Sequence, residues 1–152
     1  MFLLVLAVVI TSCNDNAYYE EIKPVEGELW DMRDIKEFSV NVDNSEASYR
    51  LIFTVRNTTD YAYSNLYLFF TTTYPDQEIT RDTIECLLAD RSGQWLGKGV
   101  GKIRESRFLI KDRMNFPDTG NYIFTLEQAM RDETLPGIAD IGIRIENIAQ
   151  AE

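Results

Sequence analysis

The sequence predicts an all-β protein, a two-layer antiparallel β-sandwich. Three observations lead there. From Leu29 onward, apolar and polar residues alternate with a period of two rather than 3.6. Turn signals recur at short intervals, as DNSE, PDQE and PDTG. No stretch reads as a strong amphipathic helix, so two facing sheets are the natural way to bury the apolar sides.

The elements follow in order. IKEFSVNV puts Phe38, Val40 and Val42 on one face, and DNSE turns the chain. ASYRLIFTVR sets Tyr49, Leu51, Phe53 and Val55 against Arg50, Thr54 and Arg56, with Ile52 interrupting the polar side. The polar loop NTTDYAYSN leads into LYLFFTTTY, where Leu66, Leu68 and Phe70 align. After PDQE, ITRDTIECLLAD gives another strand, with Arg81 a candidate break. RSGQWLGKGVG holds four glycines between Gly93 and Gly101 and reads as a flexible hairpin or bulge. KIRESRFLIKDRMNF alternates, but both of its faces are mixed. NYIFTLEQAM aligns Tyr122, Phe124, Leu126, Gln128 and Met130, although LEQAMRDE is also compatible with the start of a short helix. Pro136-Gly137 breaks the chain, and ADIGIRIEN closes it with Ile141, Ile143 and Ile145 inward. The total is seven or eight strands.

Within this series PDTGNYIF contains D-x-G-x-Y-x-F. The phrase resembles the D-x-G-x-Y-x-C of immunoglobulin-type sandwiches, whose tyrosine bonds the backbone upstream at a corner. Here Tyr122 takes the corner, Gly120 the tight bend, and Phe124 the core place of the cysteine. The topology stays open between an immunoglobulin-like and a jelly-roll-like sandwich, which share this sequence appearance.

The N-terminus reads as an address. Phe2 to Ile10 is a nine-residue apolar run without charge, too short for a bilayer span of about 20 residues and suited to the core of a secretion signal. Ile10-Thr11-Ser12-Cys13 resembles a bacterial lipobox, which implies cleavage before Cys13 and lipid on its sulfur. Two or more acyl chains anchor stably where one does not. The expected organisation is a signal peptide at 1–12, a lipidated terminus and flexible tether at 13–28, and the sandwich at 29–152. Such a tether reaches at most about 50 Å when extended.

Composition narrows the function. The net charge is −10, from 25 acidic and 15 basic residues, which argues against nucleic-acid binding and against a polybasic grip on lipid. There is no histidine, so a Ser-His-Asp or Cys-His site is impossible within the chain. With Cys13 acylated, Cys86 is the remaining thiol; its apolar setting in TIECLLAD reads as core. Acidic pairs such as Asp82 with Glu85, or Asp132 with Glu133, invite a glycosidase reading but fit ordinary surface acids better. Asp90-Arg-Ser-Gly is a fragment of a calcium loop without its later ligands. GKGVG lacks the order of a phosphate loop. No metal site, no catalytic residue and no cofactor beyond the lipid is expected. The better lead is aromatic residues in loops: Tyr61 and Tyr63 in NTTDYAYSN, and Trp95 among glycines beside Lys98. They are candidate partner-binding residues; the plainer reading is that each ring turns inward to cap the sandwich.

The runs DYAYSNLYLF, DTIECLLADRSGQWLGKGVG, FPDTGNYIFTLEQAMR and LPGIADIGIRIE resemble the gliding-motility lipoprotein family GldH, from about Trp30 to Glu146. The resemblance implies a non-enzymatic, lipid-anchored protein of the bacterial cell envelope, in the cell membrane or outer membrane and facing periplasm or surface, docking on envelope proteins. It carries over no catalytic residues. The alternative is a carbohydrate-binding module, which calls for a groove or a flat platform of coplanar aromatics and a glycan partner.

Overall fold

The computed structural model describes residues 15–148. The strands are β1 (Ala17–Pro24), β2 (Leu29–Asp31), β3 (Lys36–Val42), β4 (Tyr49–Thr58), β5 (Asn65–Thr73), β6 (Ile79–Leu87), β7 (Ile103–Met114), β8 (Gly120–Gln128), β9 (Thr134–Pro136) and β10 (Ile138–Asn147). Eight of them form two four-stranded antiparallel sheets, ordered β1-β10-β4-β7 and β3-β8-β5-β6, while β2 and β9 pair separately. This order is that of a jelly roll, two interlocked Greek keys. An immunoglobulin sandwich orders its strands differently, so the jelly-roll alternative is the one realised.

The period of two is what builds the layers. Leu51, Phe53 and Val55 of β4 register against Ile145, Ile143 and Ile141 of β10, and all six are buried. Facing them, Leu66, Leu68 and Phe70 of β5 and Tyr122, Phe124 and Leu126 of β8 are buried as well. Phe53 and Phe70 meet edge-to-face across the layers, with centroids 5.0 Å apart. Each such side chain contributes about 1.5–3 kcal/mol by leaving water. Cys86 is fully buried in this core.

The corner forms as the D-x-G-x-Y-x-F phrase requires. Tyr122 is buried, and its hydroxyl donates to the Asp118 carbonyl at 2.8 Å. Gly120 opens β8 at φ +133°, in the left-handed region that favours glycine, and Phe124 sits in the core. The corner is a device of the Greek-key turn rather than of the immunoglobulin topology.

Three expectations are corrected. The stretch 17–28 is no tether: Ala17–Pro24 is an edge strand paired to β10, and Glu26–Glu28 is a short 3-10 turn. The folded body therefore starts before Leu29. Its alternation is hidden because Tyr19, Glu21 and Lys23 take the side of Ile145, Ile143 and Ile141 at the margin of the sandwich, where polar tips reach water. Lys23 lies over the Phe38 ring at 5.4 Å. Second, β6 runs unbroken through Arg81, because Arg81 points outward over the Phe69 ring and pairs with Glu127 at 3.1 Å. Third, the segment LEQAMRDE is strand to Gln128 and then loop, not helix. On β7, Ser106 registers with Val55 and Phe108 with Phe53, which settles its inner face.

The topology gathers the connections at two ends. Segments 25–35, 59–64, 88–102 and 129–137 lie at one end. Segments 43–48, 74–78 and 115–119 lie at the other, together with the start of β1.

Candidate functional site

The four-connection end holds the aromatic candidates. Tyr61 is buried; its hydroxyl donates to the Asn65 carbonyl at 2.8 Å, and burial above all pushes its pKa upward. Tyr63 stands 5.8 Å from it at an interplanar angle of 73°, is 39% exposed, and donates to Asp132 Oδ2 at 2.7 Å. Trp95 arrives from the 88–102 segment and lies 6.5 Å from Tyr61, tilted by 41°. The structure thus unites Tyr61, Tyr63 and Trp95. The inward reading holds for Tyr61, while Tyr63 keeps an open face. Planes inclined by 41° and 73° do not make the flat platform on which sugar rings stack.

Lys98 stands apart from this cluster, on the same segment. It pairs with Glu105 of β7 by two backbone hydrogen bonds, Lys98 N–H to Glu105 O at 2.9 Å and the reverse at 2.8 Å. Gly97 and Gly99 make that approach possible. A Cβ on Gly97 would lie 2.7 Å from Ser106 Oγ, and one on Gly99 only 2.2 Å from the Ile103 carbonyl oxygen. GQWLGKGVG is therefore a strap pressed onto β7, and no helix follows it as a phosphate loop demands.

Between the strap and the edge strands β6 and β7 opens a groove of about 740 Å³, lined among others by Leu87, Leu96, Lys98, Glu105, Arg107 and Phe108. β6 and β7 are edge strands of opposite sheets, so here the sandwich gapes. Leu87 and Leu96 are each 55% exposed, and Val100 and Leu109 add further open apolar surface. The Ser106 hydroxyl is buried on the groove wall with no hydrogen-bond partner. The Lys98 side chain is exposed. An apolar floor with a few polar groups at its rim is how protein-binding surfaces are built.

The acidic candidates separate. Asp82 registers with inward Phe70 and Glu85 with outward Tyr67, so they occupy opposite faces of β6. Asp132 accepts from Tyr63, while neighbouring Glu133 is exposed. Asp90 Oδ1 accepts from the Ser92 N–H, the Ser92 hydroxyl and the Gln94 N–H, folding its own loop; these bonds, the Ser92 hydroxyl first, hold its pKa below the usual carboxylate range. Glu105 is likewise held low, by Arg56 above all. Among the described residues no three His, Cys, Asp or Glu side chains converge as a metal site. Cys13 lies outside the described residues.

The groove residues Leu87, Leu96 and Phe108 were not singled out in the sequence. The available signal was the doublets Leu87-Leu88 and Trp95-Leu96. In a chain of period two, adjacent apolar residues send one side chain outward.

Fold and site together define a small jelly-roll domain with one gaping edge. The chain matches the family model described as GldH lipoprotein over residues 17–145. A gliding motility lipoprotein GldH homolog of Christiangramia forsetii is 30% identical over 154 aligned residues, covering 96% of this chain and 94% of that protein. Gliding motility lipoprotein GldH of Flavobacterium johnsoniae is 31% identical over 151 residues, covering 95% and 93%. The chain belongs to the GldH lipoprotein family.

Proposed function

We propose that this protein is a non-enzymatic component of the gliding-motility envelope machinery, lipidated at Cys13, which docks an envelope protein in the groove between β6 and β7. The observation that carries the reading is the gap itself. Two edge strands of opposite sheets leave apolar side chains, Leu87, Leu96 and Phe108, beside an opening lined by Lys98 and Arg107. Exposed edges are ordinarily blunted against pairing; here the strap covers β7 only as far as Glu105. Arg107 and Glu105 on the wall pair with each other at 3.1 Å, which leaves the exposed Lys98 ammonium to meet an acidic group of the partner.

The test is made in native cells. A photo-crosslinking residue replaces Leu96 in one strain and Thr119, at the far end, in another. A discrete crosslinked protein from position 96 only, lost on adding Lys98→Glu while palmitate labelling persists, is the expected result. Equal crosslinking from both positions removes the docking assignment, and unlabelled protein removes the anchor.

A further inference from the structure

We propose that the three-connection end of the sandwich is the membrane-facing end, so that the domain stands upright on a lipid surface with its docking groove turned away from it. The inference rests on lipidation at Cys13. Its geometry comes from β1. Arg144 on β10 holds the start of the body, bonding Asp15 Oδ1 at 2.5 Å and Asn16 Oδ1 at 3.4 Å through Nη2. Strand pairing begins at Ala17, opposite Glu146. Cys13 lies two residues before Asp15, a covalent reach of at most about 7 Å. The lipid therefore enters the bilayer beside segments 43–48, 74–78 and 115–119.

Those segments carry Asp43, Glu46, Asp76, Glu78 and Asp118 and no Lys or Arg. The adjoining end of β7 adds exposed Lys111 and Arg113, so the attachment rests on the short covalent reach and not on headgroup charge. The Tyr18 ring packs edge-on against buried Tyr49 at 5.1 Å, and its hydroxyl donates to the Asp43 carboxylate at 2.7 Å and accepts from the Asp43 N–H at 3.1 Å. From Tyr49, level with the start of β1, strand β4 climbs to Thr58 beside the aromatic cluster. Ten residues at about 3.3 Å each place that cluster about 30 Å further from the lipid. The surface presented outward is thus the end of Tyr63, Trp95 and the strap.

The experiment uses the lipidated full chain in neutral phospholipid vesicles bearing nitroxide headgroups. A fluorophore is attached through Thr119→Cys or through Ser92→Cys; both positions are exposed, and buried Cys86 gives no competing label. The expected result is quenching severalfold stronger at 119 than at 92. A 12-residue Gly-Ser insertion after Asn14, averaging about 20 Å end to end, reduces quenching at 119. Equal quenching at both positions, or stronger quenching at 92, overturns the orientation while leaving the anchor standing. Absence of lipid on Cys13 by mass spectrometry overturns the anchor, and the orientation with it.

Discussion

Replacing Arg144 by Met tests how the first strand is held. The Arg144 side chain is only 10% exposed, and its guanidinium reaches three carboxylates: Asp15 and Glu20 at 2.5 Å, Glu146 at 2.8 Å. Burial opposes its charge, but the bonds to Asp15, Glu146 and Glu20 prevail and raise its pKa. The partners differ in exposure, with Glu146 at 15%, Glu20 at 29% and Asp15 at 62%. Breaking a buried pair costs about 3–5 kcal/mol, whereas an exposed pair contributes about 0–1 kcal/mol. Glu146 falls near the first case and Asp15 in the second, which gives about 3 kcal/mol for Arg144→Met. Against a total stability of about 5–15 kcal/mol this is a large fraction, and the melting point falls by roughly 10 °C. Urea unfolding of the full chain in detergent, followed by tryptophan fluorescence, measures it. Arg144→Lys keeps the charge but loses the fork, and loses about half as much. In a Glu146→Gln background the Met substitution costs about 1 kcal/mol less, because the stranded charge is gone. A cost below about 0.5 kcal/mol, the range of an ordinary surface change, refutes the clamp.

Two further outcomes follow from the core. Tyr122→Phe deletes the hydroxyl that donates to the Asp118 carbonyl at 2.8 Å and accepts from the Asp118 N–H at 3.3 Å and lowers stability by about 1 kcal/mol, with an unchanged urea slope; an unaltered midpoint would show the corner to be ornamental. Burial, with Glu85 adding to it, pushes the Cys86 thiol up to about 12. The folded state therefore keeps its proton while the unfolded chain releases it near pH 8.5. This contribution is complete below that pH and is lost as pH rises toward 12. Native protein resists thiol reagents at pH 8, and Cys86→Ala flattens the alkaline decline; rapid native labelling contradicts the burial.

Strands with one clean buried face were legible in the sequence because alternation is a local property. Phe38, Val40 and Val42, or Ile141, Ile143 and Ile145, declare their side without reference to anything distant. β1 was not legible, since its partner β10 lies some 120 residues on and its inner side carries Tyr19, Glu21 and Lys23. The choice of jelly roll was hidden for the same reason: strand order is a matter of pairing between remote segments, and period says nothing of it. The aromatic cluster was half visible. Tyr61, Tyr63 and Trp95 drew notice as residue types, but only Greek-key crossing brings the 59–64 and 88–102 segments together. The groove was invisible because it is a gap between edges of two different sheets.

The pairing of β1 with β10 ties the first described strand to the last. Nothing else in its sheet borders β1, so a nascent chain that has not yet delivered Ile138–Asn147 has no place to lay it. Such remote pairing is slow to form. The segment Ala17–Pro24 therefore stays unclaimed by its sheet until Ile138–Asn147 is available. Under the lipidation proposed at Cys13, the modifying enzyme would meet Ala17–Pro24 before its partner strand had claimed it.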